Sequence, residues 1–283
     1  MTEKKILLAV LAHPDDETFG TGGTLALYAR RGVDVYLVCA TRGEVGEMPE
    51  KMMVGFNTIG EKRESELRCA AGHLGLKAVY FLGYRDSGMP GTPDNLHPQA
   101  LAAQPIEQVT GEIVRYIRMI KPQVVITFDP IGGYRHPDHI AIHNATVAAF
   151  QQAGDSHFIT TEFESYSPKK LYYQTISRGF LRFAVRVWHL MGRDPSKFGA
   201  NKDIDLASIA EVDFPITARI NCREVAAIRD TASACHASQG GSSMGGGIMG
   251  WLRRQFASTE VYMRAVPPHD EGDSESDLFE GIT

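Results

Sequence analysis

The sequence predicts an α/β fold: a Rossmann-like, largely parallel sheet flanked by helices, with a smaller C-terminal elaboration. Three observations carry this. Residues 5–40 read as strand, helix and strand in close succession, which is a βαβ unit. Strand-length apolar runs recur at 78–82 and 124–128, with helical periodicity between them. Polar clusters follow the first and fourth strands, and helical returns bring parallel strands back to the same edge, so both clusters open on one rim.

The first strand is the apolar run Ile6-Leu7-Leu8-Ala9-Val10-Leu11. Residues 20–32 read as a helix with Leu25, Leu27, Tyr28 and Ala29 on its apolar side, and residues 33–40 as the second strand. A loop over 41–57 carries Arg42-Gly43-Glu44. Residues 59–75 are helical, with Ile59, Leu67, Ala70, Ala71 and Leu74 inward. The third strand and a long Pro-containing loop from Gly83 follow. A helix over 104–120 stops at Pro122, a proline being unable to continue it. After the fourth strand, Gly132-Gly133 turns the chain into a helix that runs to about residue 153.

The pattern then thins. Residues 170–175 suit a strand. Residues 178–191 suit an amphipathic helix, with Arg178, Arg182 and Arg186 opposite Phe180, Phe183, Ala184, Val187 and Leu190. Such a helix suits either a surface cover on the core or contact with a membrane surface. A long helix is expected over 217–238, a glycine tract over 240–250 and a last strand over 258–265. The resulting division is a metal-binding core over 1–155, an elaboration over 156–266 that shapes the substrate cleft, and an acidic tail over 267–283. The tail is expected to be disordered up to the apolar island around Leu278 and Phe279.

Composition excludes several classes. The chain has 283 residues, is 43% hydrophobic and carries a net charge of −5. Six acids lie in the tail, leaving 29 Lys and Arg against 28 Asp and Glu in the rest. A near-neutral body with no basic stripe is not a nucleic-acid binder. No apolar run approaches membrane-spanning length, so stable membrane insertion and a signal peptide are not expected. Cys39, Cys69, Cys222 and Cys235 are scattered without a C-x-x-C, which reads as four reduced thiols in a cytoplasmic protein.

The chemistry lies in the two polar clusters. His13-Pro14-Asp15-Asp16-Glu17 ends the first strand. Four such groups are costly to bury without partners, and a metal satisfies them. Pro14 biases His13 towards extended backbone, and a turn then lets residues i and i+3 face one point, so His13 and Asp16 suit one cation. Asp15 aims elsewhere and stays free for proton transfer, while Glu17 caps or orients the loop. In His136-Pro137-Asp138-His139, Pro137 takes the first helical position. His136 is then the cap, His139 lies in the first turn, and Asp138 complements the helix N-terminus or orients an imidazole. Two histidines, a carboxylate and an open position make a hydrolytic site for one divalent ion, zinc by default, with iron fitting the same donors. Asp15 is then the general base for an activated water, and His136, if protonated, stabilises the oxyanion or protonates the leaving amine. His143 is an alternative ligand to His139 and otherwise a helix-surface residue.

These two clusters resemble the LmbE/PIG-L family of metal-dependent N-acetylglucosamine deacetylases. The likeness extends to Arg42-Gly43-Glu44, Arg63, the loop Tyr84-Arg85-Asp86-Ser87-Gly88-Met89, Asp129-Pro130 with Gly132-Gly133-Tyr134, and His236-Ala237-Ser238-Gln239. The loop and the Asp277-Leu278-Phe279 ending are most similar to the mycothiol-pathway branch. The resemblance implies His13, Asp16 and His139 as metal ligands, Asp15 as general base and His136 as its acid or electrostatic partner. It implies Glu44, Arg63 and Asp86 as sugar contacts, and an amino-sugar substrate such as a glucosaminyl-inositol. Arg229 stands where relatives often have lysine, and residues 178–215 match weakly. An amidase of a mycothiol-like thiol conjugate and a non-catalytic metal- or sugar-binding protein are the alternatives, and homo-oligomers are compatible with the reading. Two motifs compete and are set aside. Gly20-Thr21-Gly22-Gly23 misplaces the third glycine of a dinucleotide fingerprint. Gly241-Ser242-Ser243-Met244-Gly245 lacks the strand a nucleophile elbow needs.

Overall fold

Among the described residues seven strands are present: β1 (Ile6–Leu11), β2 (Asp34–Thr41), β3 (Ala78–Tyr84), β4 (Val124–Phe128), β5 (Lys170–Gln174), β6 (Ala218–Asn221) and β7 (Thr259–Val266). They form one sheet in the order β3-β2-β1-β4-β5-β7-β6 in a computed structural model of the chain. It describes residues 4–158, 162–176, 178–197, 205–241, 258–270 and 272–282, without the side chains of Arg178, Phe180 and Ala184. The first five strands run parallel, and β7 is antiparallel to both β5 and β6. β1 and β4 are fully apolar or nearly so because helices cover both faces of the sheet's centre, leaving no side of these strands in water.

The helices are α1 (Asp16–Phe19), α2 (Gly22–Arg30), α3 (Ile59–Leu74), α4 (Ile106–Ile120), α5 (Gly132–Arg135), α6 (Pro137–Gln152), α7 (Arg178–Leu190), α8 (Leu206–Ile209) and α9 (Ala226–Cys235). Helix α3 starts with a capping box. The Thr58 hydroxyl accepts from the Glu61 amide at 3.1 Å, and the Glu61 carboxylate accepts from the Asn57 amide just upstream. Gly75, at φ 78°, ends it. Helix α4 buries Val109, Ile113, Val114, Ile117 and Ile120, one face at the helical period.

Three expectations about these elements are corrected. The long helix over 217–238 is broken: Ala218 and Ile220 are buried while Arg219 and Asn221 are exposed, and this two-residue period makes β6. Cys69 on α3 and Cys235 at the end of α9 form a disulfide with a Cα–Cα distance of 5.9 Å, so only Cys39 and Cys222 are free thiols. The two cysteines are 166 residues apart in sequence, and only the packing of α9 against α3 brings them together. On α7 Leu181 is buried and Val185 partly buried, packed with Leu206, Ile209 and Ala210, whereas Phe183 and Leu190 are exposed. Helix α7 thus rests on α8 rather than on the sheet, and that rotates its inner face. Ser243 and the rest of the tract from residue 242 lie outside the described residues. Among those residues no helix is long and apolar enough to cross a membrane.

The acidic tail is tied down ahead of its apolar island, contrary to the expected disorder. Glu275 accepts from Lys170 at 2.7 Å, Tyr172 at 2.6 Å and Arg264 at 2.6 Å, and Asp273 also receives Arg264. Tyr28 donates its hydroxyl to Asp277 at 2.8 Å, and the Leu278 amide donates back to Tyr28. Leu278 and Phe279 are buried, with Phe279 edge-on to the Tyr28 ring. Phe279→Ala is therefore expected to cost about 3 kcal/mol of stability, seen as a lower denaturant midpoint at unchanged slope.

Candidate metal centre and active site

The strand order reverses between β1 and β4. β1 lies between β2 and β4, so the connections that leave β1 and β4 diverge and open a crevice beyond their carboxyl ends. Both polar clusters lie in it. At the first, the His13 amide donates to Asp16 Oδ2 at 2.7 Å, closing a turn that carries the carboxylate back beside the imidazole. At the second, Gly132 and Gly133 take φ 65° and 66°. A Cβ on Gly132 would come within 2.8 Å of the His139 Cβ, so glycine lets the turn pass over α6. His136 caps α6, its Nδ1 accepting from the Asp138 amide at 3.2 Å, and Pro137 begins the helix as expected.

Three donors converge. His13 Nδ1 lies 3.2 Å from His139 Nε2 and 3.4 Å from Asp16 Oδ2, and His139 Nε2 lies 3.4 Å from Asp16 Oδ1. Tetrahedral ligands at zinc's bond lengths of about 2.0–2.1 Å stand roughly 3.3 Å apart, so this spacing fits one small divalent cation. The tautomers fit as well. His139 Nδ1 is 3.1 Å from the Gly132 carbonyl and must donate to it, leaving Nε2 bare. His13 Nε2 is 3.0 Å from Asp138 Oδ2, which leaves Nδ1 for the metal in a carboxylate–histidine–metal arrangement. His139 is held flat by Phe128, their rings stacked 3.8 Å apart. A third imidazole, His136, is close enough to offer a nitrogen with His13 and His139, but its Nδ1 is used as the cap.

Asp138 is fully buried and orients His13 rather than His136. It also accepts from the Ser87 amide at 2.9 Å and from the Ser87 hydroxyl. Asp86 Oδ1 lies 3.5 Å from His13 Nε2 and 2.8 Å from the Gly88 amide, while its Oδ2 is 4.0 Å from Arg63. Glu44 accepts the Asp86 amide at 3.0 Å. Arg63 is buried and donates to the Pro14 carbonyl at 2.8 Å, the Gly43 carbonyl at 3.0 Å and Asp15 Oδ2 at 3.1 Å. Glu44, Arg63 and Asp86 thus form a connected wall beside the donors.

Asp15 has φ 126°, a region that L-residues rarely adopt and that costs about 1–3 kcal/mol. Arg63 holds its side chain on one side, and on the other its amide donates to Glu17 Oε2 at 2.9 Å. Burial raises the Asp15 carboxyl to about 6, against the opposing pull of Arg63. Asp16 is held well below the usual carboxylate range: burial opposes its charge, but His139 and His13 outweigh it. Burial also opposes a charged His13, yet Asp86, Asp138 and Asp16 raise it. His136 is lowered to about 2 by burial and by the neighbouring His13 and His139. With Nδ1 accepting from the Asp138 amide, His136 is thus a neutral imidazole with hydrogen on Nε2, and the condition for a protonated one is not met.

His143 is not a surface residue. It is buried, with Nδ1 2.8 Å from the Phe128 carbonyl and its ring edge-on to Tyr173. Tyr134 belongs to the matched motif but had no role assigned. Its ring stands edge-on to His139 at 4.9 Å and to His136 at 5.8 Å, joining the site to the small cluster under α7 and α8. Ser87, which fixes Asp138, was likewise missed; its position beside Asp86 in the motif was the available signal. Glu17 supports the loop as expected, accepting from Asp15, from the Thr18 hydroxyl and from His236 Nε2 at 2.7 Å.

The family model described as PIG-L: GlcNAc-PI de-N-acetylase matches residues 8–150. A 1D-myo-inositol 2-acetamido-2-deoxy-alpha-D-glucopyranoside deacetylase of Geodermatophilus obscurus is 34% identical over 100% of this chain and 99% of its own. The protein of the same description from Acidothermus cellulolyticus is 39% identical over 82% of this chain and 79% of its own. Among solved structures, N,N'-diacetylchitobiose deacetylase from Pyrococcus horikoshii shares the fold with a TM-score of 0.62 at 19% identity, over 93% of this chain and 84% of that one. The match across the whole first half-site and the second, with relatives aligned end to end, places the chain in the PIG-L deacetylase family.

Proposed function

We propose that this protein is a cytoplasmic zinc-dependent N-deacetylase that removes acetate from an N-acetylglucosaminyl compound, a glucosaminyl-inositol first among them. The observation that carries it is three metal-fitting donors, 3.2–3.4 Å apart, beside a carboxylate that Arg63 orients and that is not one of those donors. The relatives named for deacetylation of an inositol glycoside support the substrate class.

His13, Asp16 and His139 would hold the cation. When bound, it polarises the amide carbonyl and makes water more acidic. Asp15 accepts the proton of the attacking water; a base raised to about 6 is ionised at neutral pH yet still basic enough to take it. His136 donates a hydrogen bond from its Nε2–H to the carbonyl oxygen as charge grows there and keeps its own proton throughout. Asp15, now protonated, is the acid at hand for the leaving amine. Asp138 fixes the His13 ring, and Arg63 limits Asp15 to one orientation. Glu44, Arg63 and Asp86 line the side on which a sugar would lie. Residues 1–155 supply this machinery, and 156–266 shape the cleft.

A screen of N-acetylglucosaminyl glycosides with zinc and iron measured in parallel tests the reading. Acetate and a free amine from the inositol glycoside, with one metal per chain, are expected. Larger acyl products from thiol conjugates would reassign it as an amidase, and no amide cleavage by metal-loaded protein would leave a binding protein.

A further inference from the structure

Glu17 and His236 are both fully buried, and neither touches the donor set directly. A buried acid–imidazole pair is a poor source of stability, since desolvation offsets its attraction. Its placement suggests another purpose. One Glu17 oxygen receives His236 Nε2 at 2.7 Å, and the other receives the Asp15 amide at 2.9 Å. That amide belongs to the residue whose backbone sits at φ 126°. The far end is anchored twice. Cys235, next to His236, is bonded to Cys69 on α3. Ser238 donates to Glu66 on α3 through its amide at 3.0 Å and its hydroxyl at 2.5 Å. Helix α3 also carries Arg63, which holds the Asp15 side chain.

We propose that His236 is a positioning residue for Asp15, acting through Glu17, so that the general base is clamped at its amide from α9 and at its carboxylate from α3. This rests on the reading of Asp15 as general base given above. His236 fixes which way the Glu17 carboxylate faces, and Glu17 in turn holds a backbone conformation that Asp15 would otherwise leave. Without the imidazole, only the neighbouring Thr18 hydroxyl holds that Glu17 oxygen, the tie from the far side is lost, and the Asp15 carboxylate no longer rests where water must be activated.

The test is a double-mutant cycle on the metal-loaded protein, with metal content and melting temperature measured for each variant. His236→Leu should lower kcat about 10–100-fold, the range for outer partners of a metal site, with KM within twofold and one metal retained. His236→Gln, which keeps an amide donor towards Glu17, should recover most of the loss. Adding His236→Leu to Asp15→Asn should cost little more than Asp15→Asn alone, because both act on one group. If His236→Leu does not fold, His236→Asn, too short to reach Glu17, takes its place. Unchanged kcat in His236→Leu or its His236→Asn replacement, or losses that multiply with Asp15→Asn, would overturn the proposal. Full activity in Asp15→Asn would instead overturn the assignment of the base.

Discussion

Asp15→Asn is expected to lower turnover of the inositol glycoside by about 10²–10⁴-fold, the usual worth of a general base, while one metal per chain remains bound. Asparagine keeps the size and the hydrogen bond from Arg63, and the amide to Glu17 is backbone, so the loop has no reason to rearrange. What is lost is the ability to take a proton. The pH profile of kcat/KM carries the same signature. A base works only when deprotonated, so activity should fall as pH drops through the Asp15 pKa. Burial places that at about 6, and a cation nearby favours the charged form, so the acid limb lies at or below that value. Asp15→Asn should flatten this limb. A variant that keeps a wild-type limb would show that another group supplies it.

His139→Ala should remove both metal and activity, with metal content falling from one per chain towards zero and turnover to the uncatalysed level. His139 offers a bare Nε2 to the donor set because its Nδ1 is committed to Gly132. Neither neighbouring imidazole replaces it: His136 caps α6 with Nδ1 and carries its hydrogen on Nε2, and His143, one turn on, points its Nδ1 at the Phe128 carbonyl on the sheet side. His143→Ala should therefore keep the metal and lose stability only. Metal retained in His139→Ala and lost in His143→Ala would exchange the two roles.

Much of the site is legible in the sequence because each half is local. His13 to Asp16 and His136 to His139 each span one turn, and Pro14 and Pro137 set the backbone on which they sit. Their meeting follows from parallel topology, which places the ends of β1 and β4 side by side. What escapes is whatever depends on packing between distant segments. Glu17 and His236 are 219 residues apart, and Cys69 and Cys235 are 166 apart; no periodicity relates either pair. His143 repeats the helical spacing of a surface residue, yet α6 has its face at Ile142, His143 and Thr146 pressed on the sheet. The strand β6 lies beside Cys222 and a helix, and only its short alternation of Ala218 and Ile220 distinguishes it. The inner face of α7 could not be assigned without α8, the surface it packs on.

The Cys69–Cys235 bond also divides the molecule topologically. It closes a covalent ring that contains Asp86 and His136 to His139, while His13, Asp15 and Asp16 lie on an N-terminal arm outside it. A loop of that length removes about 5 kcal/mol of unfolded-chain entropy in the loop-closure account, and all of it constrains the ring. A backbone cut between residues 69 and 235 leaves one covalent molecule, whereas a cut in the 41–57 loop frees the arm and two of the three metal donors with it. The cation would therefore join a cyclic piece to a linear one.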